Sequence, residues 1–221
     1  MAYTFDENTP PKDIVIAACQ EITDSLDGYR FLKSKREIVK KVGEFLFTIY
    51  FQSNRYNEKG ISTDIWVNCS IENMTFDECY YGHNLGTISH NNFTVWKLYG
   101  KDNYESSVDD IKRRLQNYFL PMTERFINDI DNLVTDVVDK GFYPDNETTG
   151  YVISPHFILR YGNLDLLTKA IQKDYDLSYP QAKKNFCKSV EALRKGEEPD
   201  SLYSFKSLAE AVVEYDLKII Y

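Results

Sequence analysis

The chain has 221 residues, of which 43% are hydrophobic, 27% charged and 14% aromatic, and its formal net charge is −8. This length fits one domain, or one domain with a small appended unit, and the many aromatic residues exclude disorder for the bulk of the chain. Because an acidic chain repels phosphate backbones, nucleic-acid binding is disfavoured and a basic protein partner is favoured.

The N-terminal segment predicts a helix over residues 12–27. Ile14, Ile22 and Leu26 fall on one face of this segment at helical spacing. Two prolines precede it and Gly28 follows it, as expected of residues that begin and end helices.

Two later segments change to a period of two, which indicates strands. In residues 45–52, large apolar side chains occupy every second position, and residues 65–72 show the same alternation. A polar turn at 53–60 joins the two segments. A shorter strand at 29–32 and an aromatic run at 93–99 complete the pattern. We therefore predict an α+β fold, in which the first helix packs on a curved antiparallel sheet of about four strands.

A long helical segment follows at residues 107–140. Its apolar side chains keep one face across Pro121, which removes a backbone donor, so we predict a kinked helix or two tightly joined helices. Ser107, with Asp110 three residues on, is a variant of the capping box that begins helices, and Gly141 suits the end of the segment.

The remaining sequence predicts an all-α tail. Capping residues and prolines place further helices there, which begin near Ser154, Asn163, Ser178 and residue 205. We expect an α+β domain over residues 1–145 and a helical C-terminal region over residues 146–221.

The predicted sheet has a second face that carries candidate binding residues. If the phenylalanines of residues 45–52 point at the first helix, the side chains between them share the opposite face with those of the next strand. The candidates for binding a ligand or partner on this face and its rim are Tyr50, Gln52, Asn54, Arg55, Trp66, Asn68 and Trp96. Aromatic rings beside amides and an arginine are typical of interaction surfaces and of ligand pockets. The alternative is that helix 107–140 covers this face and makes it a second core.

A cluster of basic residues precedes the main strands. Six cations, with only Glu37 opposing them, lie close together: Arg30, Lys33, Lys35, Arg36, Lys40 and Lys41. Such a hairpin holds an anion or forms a solvated strand edge, and the edge is the favoured interpretation because lysine there blocks unwanted strand pairing.

Acidic residues accumulate later in the chain, along the long helical segment. Asp129, Asp136 and Asp139 lie mainly off its apolar stripe. This pattern indicates a solvated face first, and a docking face for a basic partner as the alternative.

Cys79, His83 and His90 are the residues whose types suit Zn²⁺. Their spacing matches no familiar zinc finger, so a packed thiol and two loop histidines are favoured, and we expect no metal and no cofactor. The chain also lacks a GxSxG motif, a Walker loop and a GxGxxG motif, and it has no CxxC pair. These absences favour a protein that is not an enzyme.

The start of the chain, its apolar stretches and its cysteines predict the cellular compartment. The start of the chain shows no basic region followed by an apolar run, and no apolar stretch approaches the roughly 18 residues that span a membrane. We therefore expect a cytoplasmic protein with reduced thiols and no membrane partner.

Three short motifs resemble an uncharacterised bacterial family known only as a domain of unknown function. The matching segments are Gly28-Tyr29-Arg30-Phe31, Gln52-Ser53-Asn54-Arg55-Tyr56 and Ile65-Trp66-Val67-Asn68-Cys69. The similarity covers about residues 10–120 and departs from the family pattern at Cys69, where a small residue is expected. The resemblance implies an α+β fold and assigns no catalytic residue.

These observations lead to two functional hypotheses. The first is a cytoplasmic, non-enzymatic protein-binding module of the immunity or adaptor type that binds a basic partner. The alternative is an enzyme or small-ligand-binding domain whose polar and aromatic site lies on the sheet face.

Overall fold

The structure is a computed structural model that describes residues 4–88, 93–144, 151–199 and 206–221. The chain divides into two compact units, Met1–Asn128 and Asp129–Tyr221. The division falls within the segment that the apolar stripe predicted to be one kinked or tightly jointed helix.

The first unit contains a sheet in which the described residues form six strands. These strands are β1 (Arg30–Leu32), β2 (Glu37–Val42), β3 (Phe45–Ser53), β4 (Asp64–Asn73), β5 (Glu78–Asn84) and β6 (Trp96–Lys97). The order is β1-β2-β3-β4-β5, with β6 paired to β4, and the paired strands are antiparallel. The predicted α+β class, with a helix on an antiparallel sheet, is confirmed.

The predicted number of strands was too low, because two strands have sequences that hide the period of two. Strand β2 lies inside the basic cluster, where Lys40 and Lys41 follow one another and obscure its alternation. Strand β5 contains Gly82, and its pairing with β4 shifts at a β-bulge between Ile71 and Glu72. A bulge places an extra residue on one strand, so the sequence of that strand loses its regular alternation.

The alternation on β3 and β4 sorts their side chains between two faces, as predicted. On the inner face, Phe47, Ile49 and Phe51 are fully buried. Their partners on β4 are Ile71, Cys69 and Val67, which are buried too. The side chains between them point to the other face of the sheet.

The long helices of the first unit pack on the inner face. They are α1 (Pro11–Thr23), α3 (Lys101–Arg114) and α4 (Leu120–Asn128), while the four-residue α2 (Leu85–Ile88) follows β5 directly. The ring of Phe126 meets Phe45 at 5.4 Å between centroids, and the ring of Phe119 meets Tyr81 at 6.3 Å. Lys112 of α3 donates to Glu21 of α1 at 3.0 Å, so both helices share this side of the sheet. The alternative in which the long helical segment covers the second face is therefore wrong for α3 and α4.

The helical segment differs from the prediction at its start and in its interior. It begins at Lys101 rather than 107, and Ser107 lies inside α3, where its hydroxyl donates to the carbonyl of Lys97 at 2.8 Å instead of capping the helix. A π-helical turn at Leu115–Phe119 lies directly before Pro121. Such turns and prolines are common causes of helix kinks, so the irregularity expected at Pro121 is present.

In the second unit, every secondary-structure element formed by the described residues is a helix. Its helices are α5 (Ile130–Lys140), α6 (Pro155–Tyr161), α7 (Leu164–Leu177), α8 (Pro180–Arg194) and α9 (Lys206–Glu214). Two predicted caps are confirmed: the Ser154 hydroxyl accepts from the backbone N–H of Phe157 at 3.3 Å, and the Asn163 side chain accepts from Leu166 at 2.9 Å. Helices α5, α6 and α7 contact one another, and α8 packs along α9.

Across the described residues, no helix is both long and apolar enough to cross a lipid bilayer.

Candidate functional site

The outer face of the sheet, opposite the packed helices, carries a mixture of aromatic, amide and hydroxyl side chains. We define the outer face as Leu46, Thr48, Tyr50 and Gln52 of β3, Trp66, Asn68, Ser70 and Glu72 of β4, and Gly82 and Asn84 of β5. Most of these residues are half-buried, in contrast to the fully buried inner face. The alternation therefore places the predicted residues Tyr50, Gln52, Trp66 and Asn68 together on one surface.

The strand register arranges the centre of the outer face in two rows. Tyr50 lies opposite Asn68, and Asn68 lies opposite Asn84. In the next row, Ser70 lies opposite Gly82, which has no side chain. The missing side chain leaves a shallow, open groove of about 480 Å³ whose lining includes all five residues.

Hydrogen bonds hold one wall of this groove in place. Asn84 donates from Nδ2 to Oδ1 of Asn68 at 3.1 Å, and its own Oδ1 accepts from the backbone N–H of Gly86 at 2.9 Å. The Ser70 hydroxyl donates to Glu72 at 2.9 Å. The Tyr50 hydroxyl and the Nδ2 of Asn68 make no hydrogen bond to any described residue, so they are available to a ligand or partner.

Trp66 lies beside the groove, in register with Gln52. Its ring is 5.9 Å from that of Phe93, which is 59% exposed, so two aromatic rings extend the apolar part of the outer face. The indole N–H of Trp66 is buried and has no hydrogen-bond partner among the described residues. The contribution of Trp66 to a surface is therefore its ring and not its donor.

Trp96 is placed away from the site that the sequence predicted for it. It pairs with Ile65, which points to the inner face, and it is only 3% exposed. Its indole N–H donates to Asp110 of α3 at 2.9 Å, and the guanidinium of Arg114 lies 5.5 Å from the ring centroid. Trp96 thus links the sheet to α3. The sequence could not predict this position, because a strand of two residues has no alternation and only its pairing with β4 decides which face its side chains join.

Asn54 and Arg55 leave the outer face in the loop after β3. The Oδ1 of Asn54 accepts from the backbone N–H of Tyr56 at 3.0 Å. The guanidinium of Arg55 stacks on the Tyr56 ring at 4.6 Å and donates to its hydroxyl. Asn54 instead lines a separate cleft of about 920 Å³, which also receives Lys12, Lys33 and Arg36.

The acidic candidates of α5 are engaged within the second unit. Asp139 accepts from Lys169 at 2.8 Å, and this hydrogen bond and charge lower the pKa of Asp139 below its ordinary value. Asp136 lies 3.6 Å from Lys140, and Asp129 accepts from the side chain of Asn132 at 2.6 Å. Internal partners therefore offset part of the charge that a basic protein would meet on this face.

The zinc candidates do not converge among the described residues. Cys79 pairs with Glu72 of the outer face, whereas His83 pairs with Cys69 of the inner face, so their side chains point to opposite sides of β5. His90 lies outside the described residues. In the described part of the chain, no group of three or more metal-ligating side chains forms a cluster.

Two groove residues, Gly82 and Asn84, were missed by the sequence reasoning. Both lie on β5, a strand that the sequence did not predict. The only local signal is the Gly82-His83-Asn84 run of small and polar residues, which equally fits a loop.

Comparison with known proteins finds one family model that is similar to part of the chain. Residues 22–125 match the model of a family described as domain of unknown function (DUF4304), which confirms the predicted resemblance to such a family. The match spans the whole sheet with the outer face and the groove, and it ends before the second unit begins. No curated protein and no solved structure matches the chain.

Proposed function

We propose that this chain, whose residues 22–125 match the DUF4304 family model, is a protein-binding module of the immunity or adaptor type. The outer face, centred on Tyr50, Trp66 and the groove, is the surface that takes the partner. The proposed partner is a basic protein.

The observation that supports this proposal is the placement of the helices. Helices α1, α3 and α4 pack on the inner face, and none of these long helices covers the outer face. One solvated face is common in antiparallel sheets, and it then carries mainly polar side chains. Here Tyr50, Trp66 and Leu46 place aromatic and aliphatic surface on that face.

The composition of the outer face fits an interface. Tyrosine and tryptophan contribute most often to the few contacts that dominate binding energy, because they bury a large rigid area and carry one polar group. The hydroxyl of Tyr50 and the Nδ2 of Asn68, neither of which bonds to a described residue, supply directional hydrogen bonds at the centre of this surface. The surrounding hydroxyl and carboxylate groups of Ser70 and Glu72 provide a polar rim.

The choice of a basic partner rests on the charge of the whole chain. A net charge of −8 attracts a positively charged protein over distances of about a Debye length, which accelerates the encounter. The contacts that hold the complex then come from the outer face, because charge complementarity contributes more to association rate than to affinity.

The test is an affinity purification from the native host with wild type and matched variants. Gly82→Val fills the groove, since the new Cβ would meet only the Sγ of Cys79 at 3.4 Å, an ordinary contact. Tyr50→Ser removes the central ring, and Tyr179→Ser removes an exposed tyrosine of the second unit as the control. We expect one stoichiometric basic protein with wild type and Tyr179→Ser, and its loss with both outer-face variants.

Two results would contradict the proposal. One is retention of the partner by Gly82→Val and Tyr50→Ser together. The other is a clean preparation of wild type at low salt, where electrostatic attraction is strongest.

A second candidate function is the binding of a small polar ligand in the groove. Its volume of about 480 Å³ lies within the range of about 300–1,000 Å³ found for ligand pockets, and the donors of Tyr50 and Asn68 have no partner among the described residues. A thermal-shift screen of sugars and nucleosides separates the candidates, because a ligand that binds only the folded state raises the unfolding midpoint. The ligand hypothesis requires a rise that Gly82→Val abolishes.

A further inference from the structure

We propose that the cleft between α1 and the β1–β2 turn is a second binding site, which takes a small molecule carrying a phosphate dianion. This cleft is distinct from the outer face, since Ser53 continues the inner-face series of β3 and α1 packs on that side. The proposal does not depend on the protein-binding function.

Three cations from separate parts of the chain converge on the cleft. Lys12 belongs to the first turn of α1, while Lys33 and Arg36 belong to the turn between β1 and β2. Among the described residues, Asp13 supplies the one carboxylate that lines the cleft against them. The excess of two positive charges matches the charge of a phosphomonoester above its second pKa of about 6.

These cations have no partner within the described residues. Lys12, Lys33 and Arg36 form no ion pair and no side-chain hydrogen bond with any residue that the structure describes. The described part of an acidic protein thus leaves three cations of one cleft without an ion-pair partner. In contrast, Lys112 of the same unit is paired with Glu21 at 3.0 Å.

Neutral donors complete the lining of the cleft. Asn57 uses its side chain to hold the loop, since it donates to Ser53 at 3.2 Å and accepts from the backbone N–H of Asp64 at 2.7 Å. The fixed loop presents the Nδ2 of Asn54, while Ser53 at the end of β3 and Ser34 in the β1–β2 turn present their hydroxyls. None of these groups donates to a described residue. Phosphate oxygens accept such hydrogen bonds together with those of lysine and arginine.

The backbone at Arg36 supports a role for its side chain. Arg36 has φ of 59°, a left-handed conformation, and it follows a tight turn in which Lys35 N–H and Arg36 N–H both donate to the carbonyl of Leu32. Glycine, asparagine or aspartate adopts this conformation more easily than arginine does. The other two described non-glycine residues with positive φ, Asp77 and Asp216, are aspartates. Arginine is therefore an unfavourable choice for the turn alone, as expected where a side chain serves a binding site.

The dimensions of the cleft indicate more than a free phosphate ion. Its volume of about 920 Å³ is in the range of about 300–1,000 Å³ that accommodates organic ligands. Ile16 provides an apolar patch beside the cations, suited to the non-ionic part of the ligand. A phosphorylated sugar combines these properties, and we expect it to bind more tightly than inorganic phosphate.

The experiment is isothermal titration at pH 8 with inorganic phosphate and with ribose 5-phosphate, each against sodium chloride at equal ionic strength. The test variants are Arg36→Gln and Lys33→Gln, and the matched control is Lys35→Gln, which removes an exposed cation of the same turn that does not line the cleft. We expect each test variant to raise the dissociation constant by about tenfold or more, because a hydrogen bond from a charged donor contributes that much to binding. Lys35→Gln should bind as wild type does.

Several outcomes would overturn the proposal. Equal losses in Lys35→Gln and Arg36→Gln would show a general effect of surface charge, and equal heats with sodium chloride would show ionic-strength effects alone. Binding of a short double-stranded DNA without binding of ribose 5-phosphate would assign the cations to a nucleic acid instead. If Arg36→Gln fails to fold by circular dichroism, Lys12→Gln on the exposed first turn of α1 replaces it, and unchanged binding in that variant overturns the site.

Discussion

Trp66 and Trp96 lie on opposite faces of the same sheet, although the strands that carry them are hydrogen-bonded neighbours. Trp66 contributes to the open outer face beside Phe93, whereas Trp96 is buried and bonded to Asp110. One tryptophan is therefore a candidate for binding and the other for stability.

Phenylalanine substitutions should separate these two roles. Trp96→Phe removes a hydrogen bond to a carboxylate at a buried position, and we expect it to lower the free energy of unfolding by about 2 kcal/mol. Trp66→Phe removes a donor without a described partner, and we expect a loss of under about 1 kcal/mol. Urea denaturation followed by circular dichroism measures both. Equal losses would contradict the assignment.

Asp110 should make the stability of the first unit depend on acid pH. Burial opposes the ionisation of Asp110, but the hydrogen bond from Trp96, the charge of Arg114 and the hydrogen bonds from Arg113 and Arg114 outweigh it, so the pKa of Asp110 lies below the ordinary value. A group with a lowered folded pKa stabilises the protein above its unfolded pKa of about 4, and this stabilisation is lost as the pH falls through the folded pKa.

We therefore expect Asp110→Asn to be less stable than wild type at pH 7, with the difference shrinking below about pH 4. Thermal unfolding midpoints of both proteins, measured from pH 7 down to about pH 2, provide the test. A constant difference across the range would mean that the charge of Asp110 is not the stabilising feature.

Asp174 of α7 should give stability the opposite pH dependence to that from Asp110. Burial raises the pKa of Asp174 to about 6. Between the unfolded pKa and this value the native state holds more protons, so the contribution of Asp174 to stability falls as the pH rises towards 6. Asp174→Asn should gain stability relative to wild type as the pH increases from 4 to about 7.

Thermal unfolding across this pH range tests the Asp174 prediction. Asp176→Asn removes an exposed carboxylate of the same helix and corrects for the change in net charge. A gain for Asp174→Asn that is the same at both ends of the range would contradict the prediction.

Substitutions of Gly82 and Gly86 should have different effects on the stability of the protein. A Cβ at Gly86 would lie 2.7 Å from the Cβ of Thr94, so Gly86→Ala should destabilise the protein by about 1–3 kcal/mol. A side chain at Gly82 meets only an ordinary contact and replaces glycine within a strand, so Gly82→Val should leave stability unchanged or raise it by up to about 1 kcal/mol. Chemical denaturation measures both, and a large loss in Gly82→Val would also remove its value as a groove-filling variant.

The thiols should differ in reactivity. Burial raises the pKa of Cys19 to about 12 and also raises that of the buried Cys69, so neither should react in the native state. Cys79 is exposed, and its pKa is raised by partial burial and by the charge of Glu72. A thiol reagent should label Cys79, and Glu72→Gln should speed the labelling because the thiolate then forms more readily. Loss of the fastest phase in Cys79→Ser identifies the residue; its persistence would refute the assignment.

Local patterns predicted much of the fold because local physics produces it. Ser154 and Asn163 cap helices in the structure since each needs only a backbone N–H a few residues along the chain. The alternation of β3 and β4 likewise predicted which side chains share the outer face. Ser107 shows the limit of this reasoning, because a capping pattern inside a longer helix is indistinguishable by sequence from one at its start.

Local patterns in the chain were enough to predict the α+β class, the two faces of the central strands and the sites of most helix ends, because these depend on periods and caps within a few residues. The face that α3 and α4 cover and the face that Trp96 joins could be assigned only from contacts between distant segments. The same holds for the convergence of Lys12, Arg36 and Asn54 on one cleft. These features depend on strand register, a bulge and contacts between distant segments, and no local period encodes them.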